Sequence, residues 1–267
     1  MFLAYASNQG HALLDCALYL PKDWTNDRER WKSAGVPEKQ PCATKPQLAR
    51  QLLERAFNAK VPAAWVTGES VYGDDRRLRL WLEAQERADV LAVSGKEYVW
   101  QGWQQRQGKT VLAALPADGW TRRSAGVGTK GLRWDEWRWL PLAHPLLPAG
   151  RRWLLVRRSV SDPTALTASV VFAPHASSLE AVVRVAGSRW TVESCFEAAK
   201  GEVGLDQYAV RSWMGWYRHS TLAMWAYALL TVLRAAHLPP EEPKKTWLPS
   251  KPSSLAAFKA TRGLVCR

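Results

Sequence analysis

The sequence predicts an α/β fold, a sheet of hairpin and parallel strands flanked by helices and interrupted by an antiparallel β insertion. Three observations carry this. Two short apolar runs, Ala63–Thr67 and Val90–Val93, alternate with segments of helical periodicity. From about Gly95 to Pro174 the texture changes to strand-like pieces separated by turns. From Ser178 onward the apolar spacing returns to that of helices.

Phe2–Ala6 and Ala12–Leu20 hold β-favouring residues, and Asn8, Gln9 and Gly10 between them make a turn, so the chain opens with a β-hairpin. Pro21–Pro41 is polar and reads as a loop with a short helix. Thr44 caps a helix that ends near Asn58, with Pro46 in its first turn and Leu48, Leu52, Leu53 and Ala56 as its apolar stripe. The run AAWVT, bounded by Pro62 and Gly68, reads as a buried parallel strand. The loop Gly68–Gly73 then lies at its C-terminal end, the edge where open α/β sheets place their active sites. Asp74 begins the next helix, with Leu78, Trp81 and Leu82 inward, and Val90–Val93 forms a second buried strand.

Within the β-rich stretch, Lys109–Leu115, Arg133–Leu140, Arg151–Ser159 and Ala168–Ala173 read as strands. Trp134, Trp137 and Trp139 straddle the alternation, so some of them point outward. Ser178 starts a helical region with Leu179, Val182, Val183 and Val185 apolar, and Gly201 and Gly204 stop the helix that follows. Val210–Ala236 reads as a long apolar helix packed under the sheet. The last stretch is rich in Pro and Lys and mainly extended, with a helix at Ser253–Thr261. The expected divisions are 1–94, 95–174 (the β insertion), 175–236 (helical) and 237–267 (the tail).

At 267 residues the chain can bury a sizeable core. Lys plus Arg number 37 against 24 Asp plus Glu, a net charge of +13, which favours a polyanionic partner such as DNA. The basic residues are dispersed rather than gathered in one stripe. Sixteen tryptophans, many of them between Trp100 and Trp153, suit either a β-rich core or base stacking beside Arg. Cys16, Cys42, Cys195 and Cys266 form no CxxC pair and read as reduced, mostly packed thiols of a cytoplasmic protein. Met1 opens into FLAYAS without a basic leader region, and no signal peptide is expected. The longest apolar run, Leu222–Leu233, is too short for a bilayer span of about 20 residues.

The stretch RWTVESCFEAAK, Arg189 to Lys200, concentrates the chemistry. Read as one helix, it puts Arg189, Glu193, Glu197 and Lys200 on one face, with the Glu193 carboxylate between two cations. The spacing suits metal and phosphate chemistry, and equally an exposed face of paired charges.

The run from Arg189 to Leu230 resembles the C-terminal catalytic segment of bacterial insertion-sequence transposases of the DDE type. Their signature is Arg, three residues, Glu, six residues, Lys, found here as Arg189, Glu193 and Lys200. A broader signature has Tyr three residues before the Arg, where this chain has Ala186. The likeness extends upstream through YLPKDW, AGVPEK, ATKPQLA and WVTGESVYGDDRRLR.

The resemblance implies a ribonuclease-H-like catalytic core, split by the β insertion, that binds DNA at insertion-sequence ends. It implies metal-dependent cleavage and strand transfer with Mg²⁺ held by three carboxylates. Glu193 matches the family Glu. Glu69 stands where the family has its second Asp, with Tyr72 and Gly73 matching the family loop. Glu193 and Glu69 are then the metal ligands, and Arg189 and Lys200 complete the catalytic set. Arg189, Lys200, Arg211 and Arg218 are the expected DNA contacts.

The first Asp has no counterpart. The family's first strand precedes the hairpin, whereas Met1 already sits at the strand that should be second. The resemblance therefore implies an N-terminally truncated, inactive copy. The alternative is a non-catalytic remnant that binds DNA, a full-length transposase or itself and inhibits transposition. Loss of that central strand would leave unpaired backbone on its two neighbours, the hairpin and the AAWVT strand, with poor solubility or a metal-incompetent fold as the result. Asp15 reads as an edge carboxylate, Asp206 as a turn residue or supporting contact, and His219 as a core histidine.

Overall fold

The computed structural model describes residues 1–128, 131–142, 150–174, 177–209, 211–237 and 263–266. In chain order these form β1 (Phe2–Ser7), β2 (Gly10–Cys16), α1 (Lys22–Asn26), α2 (Arg28–Ser33), α3 (Lys45–Asn58), β3 (Trp65–Gly68), α4 (Ser70–Gly73), α5 (Arg76–Ala84), β4 (Ala88–Val93), β5 (Tyr98–Gln101) and β6 (Gln104–Gln107). There follow α6 (Gly108–Ala113), β7 (Thr121–Gly128), β8 (Gly131–Pro141), β9 (Arg152–Ser159), β10 (Leu166–Phe172), α7 (Leu179–Ser188), α8 (Thr191–Val203), α9 (Trp213–His237) and β11 (Gly263–Cys266). The architecture is a mixed β-sheet flanked by helices with an antiparallel insertion, β5–β6, and is of the ribonuclease-H-like class.

The chain divides into two units, Met1–Val61 with Thr191–Arg262, and Pro62–Trp190 with Gly263–Arg267. In the first, β1 and β2 pair antiparallel from Phe2↔Cys16 to Ser7↔Gly10, so the second strand ends four residues before the expected Leu20. α3 opens with a full capping box: Thr44 Oγ1 accepts from the Gln47 N–H, and the Gln47 side chain accepts from the Thr44 N–H. Its predicted stripe, Leu48, Leu52, Leu53 and Ala56, is buried. Trp31 packs with Ala34 and Val36 against Trp24 and Trp213.

The long helix expected to pack under the sheet is α9, which packs on β2 of the hairpin. It buries Ser220, Ala223, Met224 and Tyr227, while Leu222, Trp225, Leu229 and Val232 are exposed. An apolar composition does not by itself say how many sides of a helix are covered. Val210 and the helix expected at Ser253–Thr261 lie outside the described residues.

In the second unit, β3 and β4 pair in parallel, as the apolar runs predicted. β10, β9, β8 and β7 then extend the sheet antiparallel beyond β4. The expected strand at Lys109–Leu115 is instead the helix α6, which buries Val111. α7 lies over β7, where a Cβ on Gly187 would sit 1.8 Å from the Ala125 carbonyl oxygen; only glycine permits this approach.

The free edge expected on the AAWVT strand does not occur. β11 pairs in parallel with β3, from Gly263↔Trp65 to Cys266↔Gly68. β11 thus covers the edge of β3 that faces away from β4. Leu264 and Val265 are fully buried there, so the pairing also adds apolar burial.

Candidate functional site

β3 delivers Glu69 to its C-terminal end. Gly68 closes the strand, and Glu69 stands at the N-cap of the one-turn helix α4 with no side-chain capping bond. Gly73 ends that turn directly against β4, where a Cβ would meet the Ala92 carbonyl oxygen at 1.8 Å. Arg79 donates to the Gly73 carbonyl, and Asp74 accepts from the Ser94 N–H at 2.8 Å. The Glu69 loop is therefore held by a close backbone approach at Gly73 and by side chain–backbone hydrogen bonds of Arg79 and Asp74. Its carboxylate is free of the cap and turns to Arg189, whose Nη1 lies 3.3 Å from Oε1.

Arg189 is not on the helix that carries Glu193. It is the C-cap residue of α7, and α8 begins only at Thr191. The break falls at Arg189–Trp190, which is also where the chain passes from one unit to the other. The expected single face of Arg189, Glu193 and Lys200 is thus corrected. An uninterrupted 3.6-residue spacing was compatible with one helix, but the backbone turns between its first and second members. Glu193 is in the first turn of α8 and Lys200 in its last, where acid and base each suit the helix dipole. Gly201 lies inside α8, and Gly204, at φ +66°, follows its end. Lys200, Arg211 and Arg218 are exposed.

Beside the Glu69–Arg189 pair, the second unit carries a groove of about 510 Å³ on the α7 side of the sheet. Arg133, Arg157 and Arg189 line it together with Trp134 and Trp190. Trp134 is 47% exposed and Trp190 42%, whereas Trp137 is buried against α7, as strand alternation requires. The Arg133 and Arg189 guanidinium carbons lie 5.7 and 5.2 Å from the Trp190 ring centre, within cation–π range. Arg157 is paired with Asp135 at 2.8 Å. Cations interleaved with exposed aromatics suit a chain that offers phosphates and flat bases.

Residues 1–138 match the family model described as DDE superfamily endonuclease. The chain belongs to that family. No curated protein matches it. For this DDE-superfamily chain, the matched span takes in Glu69 and the Tyr72–Gly73 loop, while Arg189, Glu193 and Lys200 lie beyond it.

A pair of catalytic metal ions needs several oxygen ligands converging from separate elements. Among the described residues no group of three His, Cys, Asp or Glu side chains is placed to hold an ion. Glu69 is moreover occupied by Arg189. These residues do not fit a two-metal centre.

The supporting residues resolve as structural. Asp15 accepts from the Cys16 N–H and pairs with Arg55 at 2.8 Å. His219 Nε2 bonds the carbonyls of Gly204 and Leu205, closing the end of α8. Asp206 is exposed in the turn after α8. Among the described residues no helix is long and apolar enough to cross a membrane.

Two features escaped the sequence reading. His11, Cys195 and Tyr227 form a cluster in the first unit, with His11 Nδ1 3.2 Å from the Cys195 sulfur and 2.7 Å from the Tyr227 hydroxyl. Burial raises the Cys195 thiol to about 12, so it packs as a neutral group and is no nucleophile. The other is Asp89, one residue before the apolar run Val90–Val93 and wholly buried in β4. A lone charge at a strand start ordinarily marks the strand's end, which hid it.

Proposed function

We propose that the chain is a DNA-binding protein of the DDE transposase type that engages insertion-sequence ends and does not cleave them when it acts alone. The groove of Arg133, Arg157 and Arg189 with exposed Trp134 and Trp190 carries the DNA reading. The net charge of +13 adds a long-range attraction to a polyanion. Lys200, Arg211 and Arg218 would add phosphate contacts.

The ion pair of Glu69 with Arg189 supports the non-cleaving part. A guanidinium on the carboxylate supplies locally the positive charge that Mg²⁺ would otherwise bring. Glu69 and Glu193 remain the two carboxylates matching the family pattern. Among the described residues no third carboxylate joins them to hold an ion, and a full-length transposase or a second copy would be a source of one. A chain that occupies DNA ends without cutting would inhibit such a partner in the cytoplasm.

The test is a transposon-end duplex incubated with the chain and Mg²⁺ or Mn²⁺, beside Glu193→Gln. Binding that weakens with salt, without cleavage, is expected. Metal-dependent cleavage abolished by Glu193→Gln would overturn the non-cleaving reading. Absence of binding even at low salt would overturn the DNA reading.

A further inference from the structure

A second cavity, of about 340 Å³, lies in the second unit on the sheet face opposite the groove. Asp89 on β4 lines it beside its cross-strand partner Phe172. Its neighbour Val90 points the other way, into the core under α7. Leu80 and Glu83 of α5 form one wall, and Tyr98, Val99 and Trp100 of β5 cover the opposite side.

Asp89 is 1% exposed, and neither of its carboxyl oxygens completes a hydrogen bond, although the Phe172 N–H comes near. Its charged neighbours are committed elsewhere: Arg79 to Glu97 and the Gly73 carbonyl, and Arg152 to Glu83. Arg76 is an exposed residue at the rim. A buried polar group without a partner is costly and is rare in folded proteins, which marks this one for explanation.

We propose that this cavity binds a small organic cation with a flat apolar body and an N–C–N edge, an amidinium or guanidinium, anchored on Asp89. Two unpartnered oxygens on one carboxyl match two parallel N–H donors. An anion would find the deep arginines already paired and the floor lined with acceptors. A bare metal ion would need converging ligands that the described residues do not offer. Leu80, Val99, Val170 and Phe172, with the rings of Tyr98 and Trp100, suit an aromatic body.

Burial, and secondly the charge of Glu83, hold the Asp89 proton far above the usual carboxylate range, while Arg79 and Arg152 pull the other way. A cation binding there draws the proton off, so affinity rises with pH. The other ionisable groups facing the cavity are Arg76, Glu97 and Tyr98.

The probe is benzamidinium, titrated into the full chain by calorimetry at about pH 6 and about pH 8.5, with neutral benzamide as comparison. Saturable binding is expected, with Kd on the order of 1 mM or tighter and tightest at the higher pH. Benzamide and the Asp89→Asn variant should each bind at least about tenfold more weakly. Leu80→Trp, which fills the cavity from its rim and leaves Asp89 untouched, should also block the probe. It decides the matter should Asp89→Asn fail to fold. No saturable binding, binding independent of pH, or equal binding to a folded Asp89→Asn or Leu80→Trp variant would each overturn the proposal.

Discussion

Arg189 Nη1 lies 3.3 Å from Oε1 of Glu69, 120 residues earlier in the chain. The pair joins the C-terminus of α7 to the end of β3 within one unit. It converts the carboxylate that the family resemblance assigns to a metal into the partner of a guanidinium. The side chains are 24% and 37% exposed, so water screens their attraction. Arg189→Ala is therefore expected to change stability by less than about 1 kcal/mol in urea denaturation. The same variant should lose DNA affinity, because the groove loses one of its three arginines. A large loss of stability with unchanged DNA affinity would reverse the roles assigned to this residue.

Counterion release gives the DNA reading a numerical form. Lys200, Arg211 and Arg218 are exposed. Replacing all three by Ala should flatten the dependence of log affinity on log salt by up to about three, near 0.9 per phosphate contact. Fluorescence anisotropy with a labelled duplex at several salt concentrations measures it. An unchanged slope would place the DNA contacts elsewhere.

Gly187 and Gly201 make a matched pair of helix glycines. Ala at either position gains helix propensity. At 187 the added methyl meets the Ala125 carbonyl at 1.8 Å, whereas at 201 nothing lies within 4 Å. Gly187→Ala is expected to destabilise by about 1–3 kcal/mol because steric overlap outweighs propensity. Gly201→Ala should stabilise by about 0.5 kcal/mol. Parallel urea melts check both signs.

Asp89 gives stability a pH dependence of known sign. In the unfolded chain it releases its proton near pH 4. In the fold, burial holds the proton on to much higher pH. Above about pH 4 the native state thus binds more protons than the unfolded one, and this group's contribution falls by up to about 1.4 kcal/mol per pH unit until native Asp89 ionises. Asp89→Asn should be more stable than the parent at neutral pH, with the difference shrinking towards pH 4. A difference independent of pH would show that Asp89 is ionised in the fold.

The cysteines should separate cleanly by reactivity. Cys42 is exposed, while Cys16, Cys195 and Cys266 are buried. Burial raises those three thiols to about 11, about 12 and about 12. With a thiol reagent at pH 8, one fast equivalent is expected, and Cys42→Ser should remove it. Fast labelling of Cys195 would contradict its packing against His11 and Tyr227.

Local chemistry determined a good part of this protein. The capping box at Thr44, the apolar stripe of α3, the alternation that turns Trp134 out and Trp137 in, and the parallel strands at Trp65 and Ala88 all follow from residues close in sequence. The Arg, Glu and Lys spacing located the chemically distinctive stretch, because a motif is a property of sequence alone.

Contacts between distant segments decided the rest. The spacing of Arg189, Glu193 and Lys200 carries no signal for the turn after Arg189, since residue spacing reads the same whether or not the backbone leaves the helix between its members. The pairing of Gly263–Cys266 with β3 joins segments about 200 residues apart, and four apolar residues after a polar tail state no partner. Asp89 is an ordinary charge on paper. Only the packing of α5, β5 and β10 around it removes water and leaves its oxygens unpartnered. Sequence sets what each residue is able to do over a few neighbours; burial and pairing, which depend on the whole chain's path, set which of those capacities is used.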